Sequence, residues 1–289
     1  MNEPSAATIT EQVLRRLEGT PDPRLRHISE ALVRHLHAFI REIRPSIQEW
    51  EQAIEFLTAV GRSCISGRQE FILLSDTLGA SMLVDEINAS DDPRATESTV
   101  LGPFYVDNAP RFELGAVIDA GKPGVPLFIE GKVFDTEGNR CSGATVDVWQ
   151  SDSEGSYDVQ HPESTSFLRG RFTCDESGKF ELWSIVPSSY AIPDDGPVGR
   201  MLDAQGRHPY RPAHVHFRIS SPGCSMLTTH IFVKGDEYLR SDAVFGVKSS
   251  LIEDLPLHDP GDAPKGRKLN QPFAQLRRTF VLARIVPSA

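Results

Sequence analysis

The hydrophobic pattern of the sequence changes its period near residue 95, and this change constrains the fold more than any other feature. Before it, apolar residues recur three or four positions apart through 22–43, 46–65 and about 69–87, as in amphipathic helices. After residue 99 the segments 126–135 and 144–150 alternate apolar and polar residues, as half-buried strands do. The sequence therefore predicts helices followed by strands.

Further strands are predicted along the second half of the chain. The segment 172–187 is predicted to form a hairpin, with its turn at Asp175, Ser177 and Gly178. The remaining predicted strands are 215–220, 226–233 and 279–286. The intervals 151–170, 191–213 and 234–276 are rich in Pro, Gly and Asp and are predicted to be loops, and loops of that length usually carry function.

The fold class that follows is α+β. We predict a helical linker and dimerisation domain over residues 1–99 and a mainly-β sandwich catalytic domain with long loops over residues 100–289. Three or four helices are too few for a robust bundle of their own. They are expected to pack on the rest of the chain or on a second copy of themselves.

Charge and composition exclude several classes of protein. A net charge of −10 argues against a nucleic-acid binder, which needs a basic face. No apolar run reaches the length of a membrane span, and the first residues lack the pattern of a signal peptide. The four cysteines show no metal-binding or disulfide spacing. We expect a cytoplasmic protein with free thiols.

Two histidines in the segment RPAHVHF, residues 211–217, are candidate metal ligands. Residues two apart on a strand point to the same side, so His214 and His216 would leave one face together. Tyr157 and Tyr190 each follow a predicted strand, and phenolate is a hard anionic donor that suits a ferric ion. Taken alone, the residues leave open both a metal site and a half-polar strand with two solvated histidines.

Four collinear segments resemble the intradiol ring-cleaving dioxygenases: ESTVLGPFY (97–105), VDVWQSDSEGSYD (146–158), WSIVPSSYAIP (183–193) and RPAHVHF (211–217). The resemblance implies a β-sandwich that holds a non-haem Fe(3+) through two tyrosines and two histidines. Transferred to this chain, the ligands are Tyr157, Tyr190, His214 and His216. The resemblance favours the metal site over the solvated pair.

The same resemblance implies catalytic roles for individual residues. Tyr190 is the ligand that leaves the iron and acts as a base, while Tyr157 stays bound. Arg211 lies beside the migrating carbon, where it stabilises developing negative charge. His230 stands where catechol-cleaving relatives commonly carry Gln; it can donate a hydrogen bond to the substrate, and its protonation is expected to matter near neutral pH.

The substrate is predicted from the stretch FILLSDTLGASMLVDEIN (71–88), which resembles the hydroxyquinol branch more than the catechol branch. In that branch a leucine and an aspartate, here Leu73 and Asp76, line the pocket, and Asp76 would accept a hydrogen bond from a third ring hydroxyl. The rest of the predicted pocket wall is Leu101, Gly102, Pro103, Phe104, Ala191 and Ile192. We predict hydroxyquinol (benzene-1,2,4-triol) and O2 as substrates, and 3-hydroxy-cis,cis-muconate, the enol form of maleylacetate, as product. Catechol or a chlorocatechol is the alternative substrate.

The resemblance also implies a homodimer built on the N-terminal helices, often around a phospholipid-like molecule. The alternative from a different class of function is a non-catalytic sandwich dimer that carries a lipid or an aromatic ligand. Such a carrier would not need the four ligand residues together, so their joint presence disfavours it. A hydrolase is disfavoured because the sequence contains no Gly-x-Ser-x-Gly nucleophile motif.

Overall fold

The computed structural model describes residues 8–65, 68–161 and 165–285. The chain divides into two units, residues 1–59 and 60–289. None of the helices in the described ranges is both long and apolar enough to cross a membrane. The helices are α1 Ile9–Leu17, α2 Pro23–Ile43, α3 Ile47–Arg62, α4 Glu70–Thr77, α5 Ala80–Asn88 and α6 Pro197–Ala204.

The first unit contains α1, α2 and most of α3. A capping box between Thr8 and Glu11 starts α1, a helix that the periodicity argument did not identify. Asp22 caps α2 directly before a proline at its first position. Both α2 and α3 leave large apolar side chains exposed, for example Leu32 at 63%, Phe39 at 55% and Trp50 at 53%.

The predicted helix over 69–87 is two helices, α4 and α5. The chain breaks at Gly79, which has a φ of 74° and so lies in the left-handed region that favours glycine. Leu73, Asp76 and Thr77 are the buried residues at the C-terminal part of α4. The apolar residues keep their helical spacing through this turn, so the sequence predicted one continuous helix, and that prediction was wrong.

The strands of the second unit form a four-stranded sheet in the order β10-β13-β1-β4 and a five-stranded sheet in the order β3-β2-β7-β8-β9. Two small sheets pair β5 with β6 and β11 with β12. The strands are β1 Pro126–Asp135, β2 Thr145–Gln150, β3 Arg169–Thr173, β4 Lys179–Ile185, β5 Tyr190–Ala191, β6 Tyr210–Arg211, β7 His214–Ser220, β8 Leu227–Val233, β9 Ile252–Glu253, β10 Leu257–His258, β11 Gly261–Ala263, β12 Arg267–Leu269 and β13 Phe273–Leu282.

The two larger sheets enclose one hydrophobic core. Side chains of β1, β4 and β13 meet those of β2, β7 and β8, and the rings of Phe217 and Phe280 lie 4.8 Å apart across the interface. This arrangement confirms the predicted α+β class with a mainly-β sandwich. Strand β13 pairs with β1 in parallel, so that Leu127 lies opposite Ala274.

The hairpin predicted over 172–187 was wrong. The turn is present, because the Gly178 amide donates to the Asp175 carbonyl and the Asp175 amide donates to the Lys179 carbonyl. However, β3 pairs with β2 in one sheet and β4 pairs with β1 in the other. The turn therefore carries the chain from one layer of the sandwich to the other.

Candidate metal and substrate site

The outer face of the five-stranded sheet carries the two histidines of the His-x-His motif. Val215 and Phe217 of β7 point into the core, so His214 and His216 point away from it. The register places Trp149 of β2 opposite His216 on one side and His230 of β8 opposite it on the other. The indole of Trp149 stacks on the His216 ring at 4.5 Å.

The two tyrosines reach this face from loops and from a short strand. Tyr157 follows β2, and Tyr190 begins β5, where it pairs with Arg211 of β6. Gly155 lets these segments approach closely, since a Cβ there would come within 2.9 Å of the Tyr190 Cβ, and its φ is 85°. A two-residue strand such as β5 gives no periodic signal, so this pairing was not predictable from the pattern.

The four predicted ligand residues converge. The Tyr157 hydroxyl lies 3.1 Å from Nε2 of His216, and Nε2 of His214 lies 3.0 Å from the same atom. The Tyr190 ring is 5.2 Å from that of Tyr157 and 5.6 Å from that of His214. Every one of these side chains is buried, with an exposed fraction of 5% or less.

This donor set fits a metal ion. Nδ1 of His214 lies 2.6 Å from the Pro212 carbonyl and donates to it, which leaves the Nε2 lone pair facing His216. Burial, followed by the charge of Arg211, lowers the pKa of His214 to about 3, and burial also lowers the pKa of His216 well below its usual value. Both imidazoles are therefore neutral at neutral pH, as metal ligands must be.

The Tyr157 phenol needs a positive charge nearby in order to ionise here. Burial raises the pKa of Tyr157 well above its usual value, and the neighbouring Tyr190 raises it further. A multivalent cation among these oxygens and nitrogens reverses that preference, because it favours the anionic form of its ligands. Two phenol oxygens and two imidazole nitrogens are thus a coherent site for a cation.

Arg211 is held beside this cluster by a buried ion pair. Its Nε and one terminal nitrogen donate to the carboxylate of Asp242 at 3.0 and 3.2 Å, and both side chains are at most 3% exposed. Burial alone would lower the pKa of Arg211, but the charge of Asp242 raises it overall. Asp242 also accepts hydrogen bonds from the Val244 and Gly246 amides. The guanidinium is therefore charged and oriented.

His230 lies within the same cluster. The ligand atoms of His214, His216 and His230 all lie within 4.8 Å of one another, so distance alone does not separate His230 from the predicted ligands. Its Nδ1 is 3.5 Å from Arg211, and its Nε2 has no hydrogen-bond partner among the described residues. Burial, together with His214 and Arg211, lowers its pKa well below the usual value. These surroundings favour the neutral imidazole, whereas the sequence argument expected the protonation of His230 to matter near neutral pH.

Of the predicted substrate-pocket residues, Phe104 and Gly102 lie next to the proposed metal ligands. Phe104 stacks on Tyr157 at 4.4 Å, and a Cβ on Gly102 would lie 3.4 Å from Cε1 of His216.

Asp76 is 4% exposed; burial raises its pKa, and the charge of Arg211 lowers it in part. Asp76, Leu101 and Gly102 line a cavity of about 600 Å³. Leu73 and Ile192 are buried, whereas Leu101, Pro103 and Ala191 are exposed.

Several residues that shape the site were missed by the sequence argument. Asp242 belongs to a long interval predicted to be a functional loop, but nothing in its local sequence distinguishes it from the other acidic residues there. Trp149 was taken for a strand residue without a site role. Arg169 binds Asp158, the neighbour of Tyr157, through a contact that depends on the folded register.

Comparisons with known proteins give matches along most of the chain. A family described as "Dioxygenase" matches residues 100–275, and one described as "Catechol dioxygenase N terminus" matches residues 22–96. Hydroxyquinol 1,2-dioxygenase of Nocardioides simplex is 47% identical over 95% of this chain and 94% of its own length. Catechol 1,2-dioxygenase of Candida albicans is 38% identical over 84% of this chain and 82% of its own.

Solved structures show the same relation. The crystal structure of hydroxyquinol 1,2-dioxygenase from Pseudomonas putida DLL-E4 superposes with a TM-score of 0.89 at 44% identity, covering 96% of this chain and 98% of that chain. The sequence comparison and the structure comparison therefore both find hydroxyquinol 1,2-dioxygenases as relatives of this chain.

Proposed function

Because the chain belongs to the intradiol ring-cleavage dioxygenases, we propose that it is a hydroxyquinol 1,2-dioxygenase, which cleaves benzene-1,2,4-triol with O2. The product is 3-hydroxy-cis,cis-muconate, the enol form of maleylacetate. Membership of the family implies a non-haem iron. The observation that carries the proposal is the buried convergence of Tyr157, Tyr190, His214 and His216.

We assign the iron to these four residues in its ferric state, since two phenolates are hard anionic donors that favour Fe(3+). Iron(III) bound there would supply a Lewis acid for the deprotonated substrate and would make its ring reactive toward O2. Tyr190 accepts a proton from a substrate hydroxyl, and Tyr157 remains in place.

Arg211 and His230 serve the substrate rather than the iron. The guanidinium of Arg211, oriented by Asp242, donates to the negative charge that develops on the substrate. Nδ1 of His230 lies 3.5 Å from a terminal nitrogen of Arg211. A substrate oxygen that contacts this guanidinium therefore also lies close to the His230 imidazole.

Asp76 selects the triol. Its buried carboxylate interacts with Ser81 and lies within range of the Arg211 charge, and a third ring hydroxyl that donates to it gains a charge-assisted hydrogen bond. Catechol lacks that hydroxyl and leaves the carboxylate with one hydrogen bond fewer. Leu73, Leu101, Gly102, Pro103, Phe104, Ala191 and Ile192 form the remaining wall.

We further infer the organisation of the whole molecule. Residues 100–289 are the catalytic domain, and residues 1–99 are a linker that holds a cytoplasmic homodimer together. The exposed apolar side chains of α2 and α3 support this, because side chains such as Leu32 and Phe39 gain free energy when a second copy covers them. A phospholipid-like molecule at that interface would use the same apolar surface.

The visible absorption spectrum of the iron-loaded protein tests the metal site. Tyrosinate bound to Fe(3+) gives a broad charge-transfer band, which is expected to move to longer wavelength when hydroxyquinol is added without oxygen. A colourless iron-loaded protein would refute the assignment of both tyrosines.

Steady-state kinetics of the variant Asp76→Val test the substrate. The ratio of kcat/KM for hydroxyquinol to that for catechol is expected to fall roughly 10- to 100-fold, the equivalent of one hydrogen bond to a charged group. Asp203→Val, at an exposed position of α6, is the control. A wild-type enzyme that prefers catechol or a chlorocatechol would overturn the substrate assignment and leave the metal site intact.

A further inference from the structure

Arg169 lies in the same cross-strand row as the histidine pair. The register aligns Arg169 of β3 with Trp149 of β2, Trp149 with His216 of β7, and His216 with His230 of β8. Residues aligned in this way share one face of the sheet. Arg169 is 3% exposed, which is unusual for an arginine at an edge strand.

One guanidinium here joins two irregular segments. Nε of Arg169 donates to Asp158 at 2.9 Å, and a terminal nitrogen donates to the same carboxylate at 2.6 Å. That terminal nitrogen also donates to the backbone carbonyl of Phe104 at 2.7 Å. Ser166 completes the carboxylate's partners with a hydrogen bond of 2.9 Å. The pair is bidentate, a geometry that fixes orientation as well as distance.

Both segments held by Arg169 bear directly on Tyr157. Asp158 follows Tyr157 in the chain and starts the short 3-10 turn Asp158–Gln160. The ring of Phe104 stacks on the Tyr157 ring, with an angle of 26° between their planes. Arg169 therefore controls the backbone on one side of the phenol and the aromatic surface on its other side, from a strand of the sandwich.

We propose that Arg169 is a positioning residue for Tyr157, which by binding Asp158 and the Phe104 carbonyl together sets the direction of the phenol oxygen toward the metal site. The inference rests on the proposed function, since it assigns Tyr157 as an iron ligand. Arg169 acts on Tyr157 through Asp158 and through the backbone carbonyl of Phe104. Its loss is expected to alter the tyrosinate–iron bond more than substrate binding.

The chain offers a matched control two residues away. Arg171 lies on the same strand and face, forms a bidentate pair with Asp147 and donates to the Asp107 carbonyl at 2.8 Å. It has no contact with Tyr157 among the described residues. Arg169→Lys and Arg171→Lys therefore remove the same kind of interaction, because an ammonium group cannot reproduce the planar fork of arginine.

The test compares both variants as iron-loaded full-length proteins. Arg169→Lys is expected to shift the tyrosinate charge-transfer band, to lower kcat by up to about 10²-fold, as a misplacement of about 1 Å can, and to change KM less than kcat. In the anaerobic substrate complex, where the proposed function would free Tyr190 from the iron, resonance Raman spectroscopy is expected to show a shifted tyrosinate mode for Tyr157. Arg171→Lys is expected to keep the wild-type band and kcat.

A second variant covers the case in which Arg169→Lys does not fold. Asp158→Asn keeps the shape of the partner and removes its charge, and it is expected to shift the band in the same way. Wild-type band and kcat in a folded Arg169→Lys, or equal changes in Arg171→Lys, would overturn the proposal. So would failure of both Arg169→Lys and Asp158→Asn to fold, since that assigns the pair to stability alone. A wild-type protein without the band would instead refute the proposed function before any variant is made.

Discussion

Replacement of Asp242 by alanine gives the sharpest energetic prediction of this structure. The variant leaves the Arg211 guanidinium buried without its counterion, and both side chains are at most 3% exposed. Removing one partner of a buried ion pair costs about 3–5 kcal/mol of unfolding free energy. At roughly 2–4 °C per kcal/mol for a unit of this size, the midpoint temperature is expected to fall by ~6–20 °C.

The assay is thermal unfolding of the iron-free protein followed by calorimetry, with chemical denaturation as a second measurement. Asp195→Ala is the control, because Asp195 also pairs with an arginine, Arg68, but is 75% exposed. Exposed pairs contribute at most about 1 kcal/mol. Asp242→Ala and Asp195→Ala therefore remove the same kind of partner from opposite environments.

A double variant separates the buried charge from the lost contacts. Arg211→Met combined with Asp242→Ala removes the unpaired cation, so it is expected to unfold at a higher temperature than Asp242→Ala alone. A double variant no more stable than Asp242→Ala would show that the uncompensated charge is not the cause. Equal losses in Asp242→Ala and Asp195→Ala would refute the argument from burial.

Three further predictions concern the pocket and the helices. Gly102→Ala is expected to lower kcat more than Gly121→Ala does in steady-state kinetics. Both glycines have a positive φ, but a Cβ at Gly102 would contact His216, whereas a Cβ at Gly121 would have no atom within 4 Å. Asp76→Asn is expected to raise the midpoint temperature at pH 7, because burial raises the folded pKa of Asp76 and the wild type loses stability as the pH rises from the usual value of 3.8 through the folded pKa. The gain should shrink in calorimetry as the pH falls toward 3.8, and a gain that stays constant over that range would contradict the argument. If the proposed dimer forms through α2, Leu32→Glu is expected to dissociate it in analytical ultracentrifugation, whereas Arg34→Gln on the same helix leaves it intact.

The sequence predicted the features that depend on local period. The bounds of β1 and the common face of His214 and His216 follow from alternation alone, while β7 begins one residue before the predicted segment 215–220. These strand properties are set by neighbours in the sequence, so the sequence is enough to predict them. The four proposed ligand positions came from the family resemblance, and the structure brings their side chains together.

What the sequence could not predict depends on partners far along the chain. The break at Gly79 depends on a backbone conformation that its apolar neighbours do not indicate. The turn at Asp175 forms equally well within one sheet or between two, so only the pairing of β3 and β4 with other strands decides its role. Asp242 and Arg169 act through side chains that meet only in the folded protein.

The position of β13 has a consequence for how this protein is made. This strand lies between β10 and β1, and residues such as Leu127 and Ala274, about half the chain apart, must find each other. Pairing over such separations closes large loops and is slow. During synthesis, the apolar side chains of β1 and β4 therefore remain uncovered until β13 is available to pair with β1. The nascent chain is expected to be most prone to aggregation and proteolysis before residues 273–282 have left the ribosome.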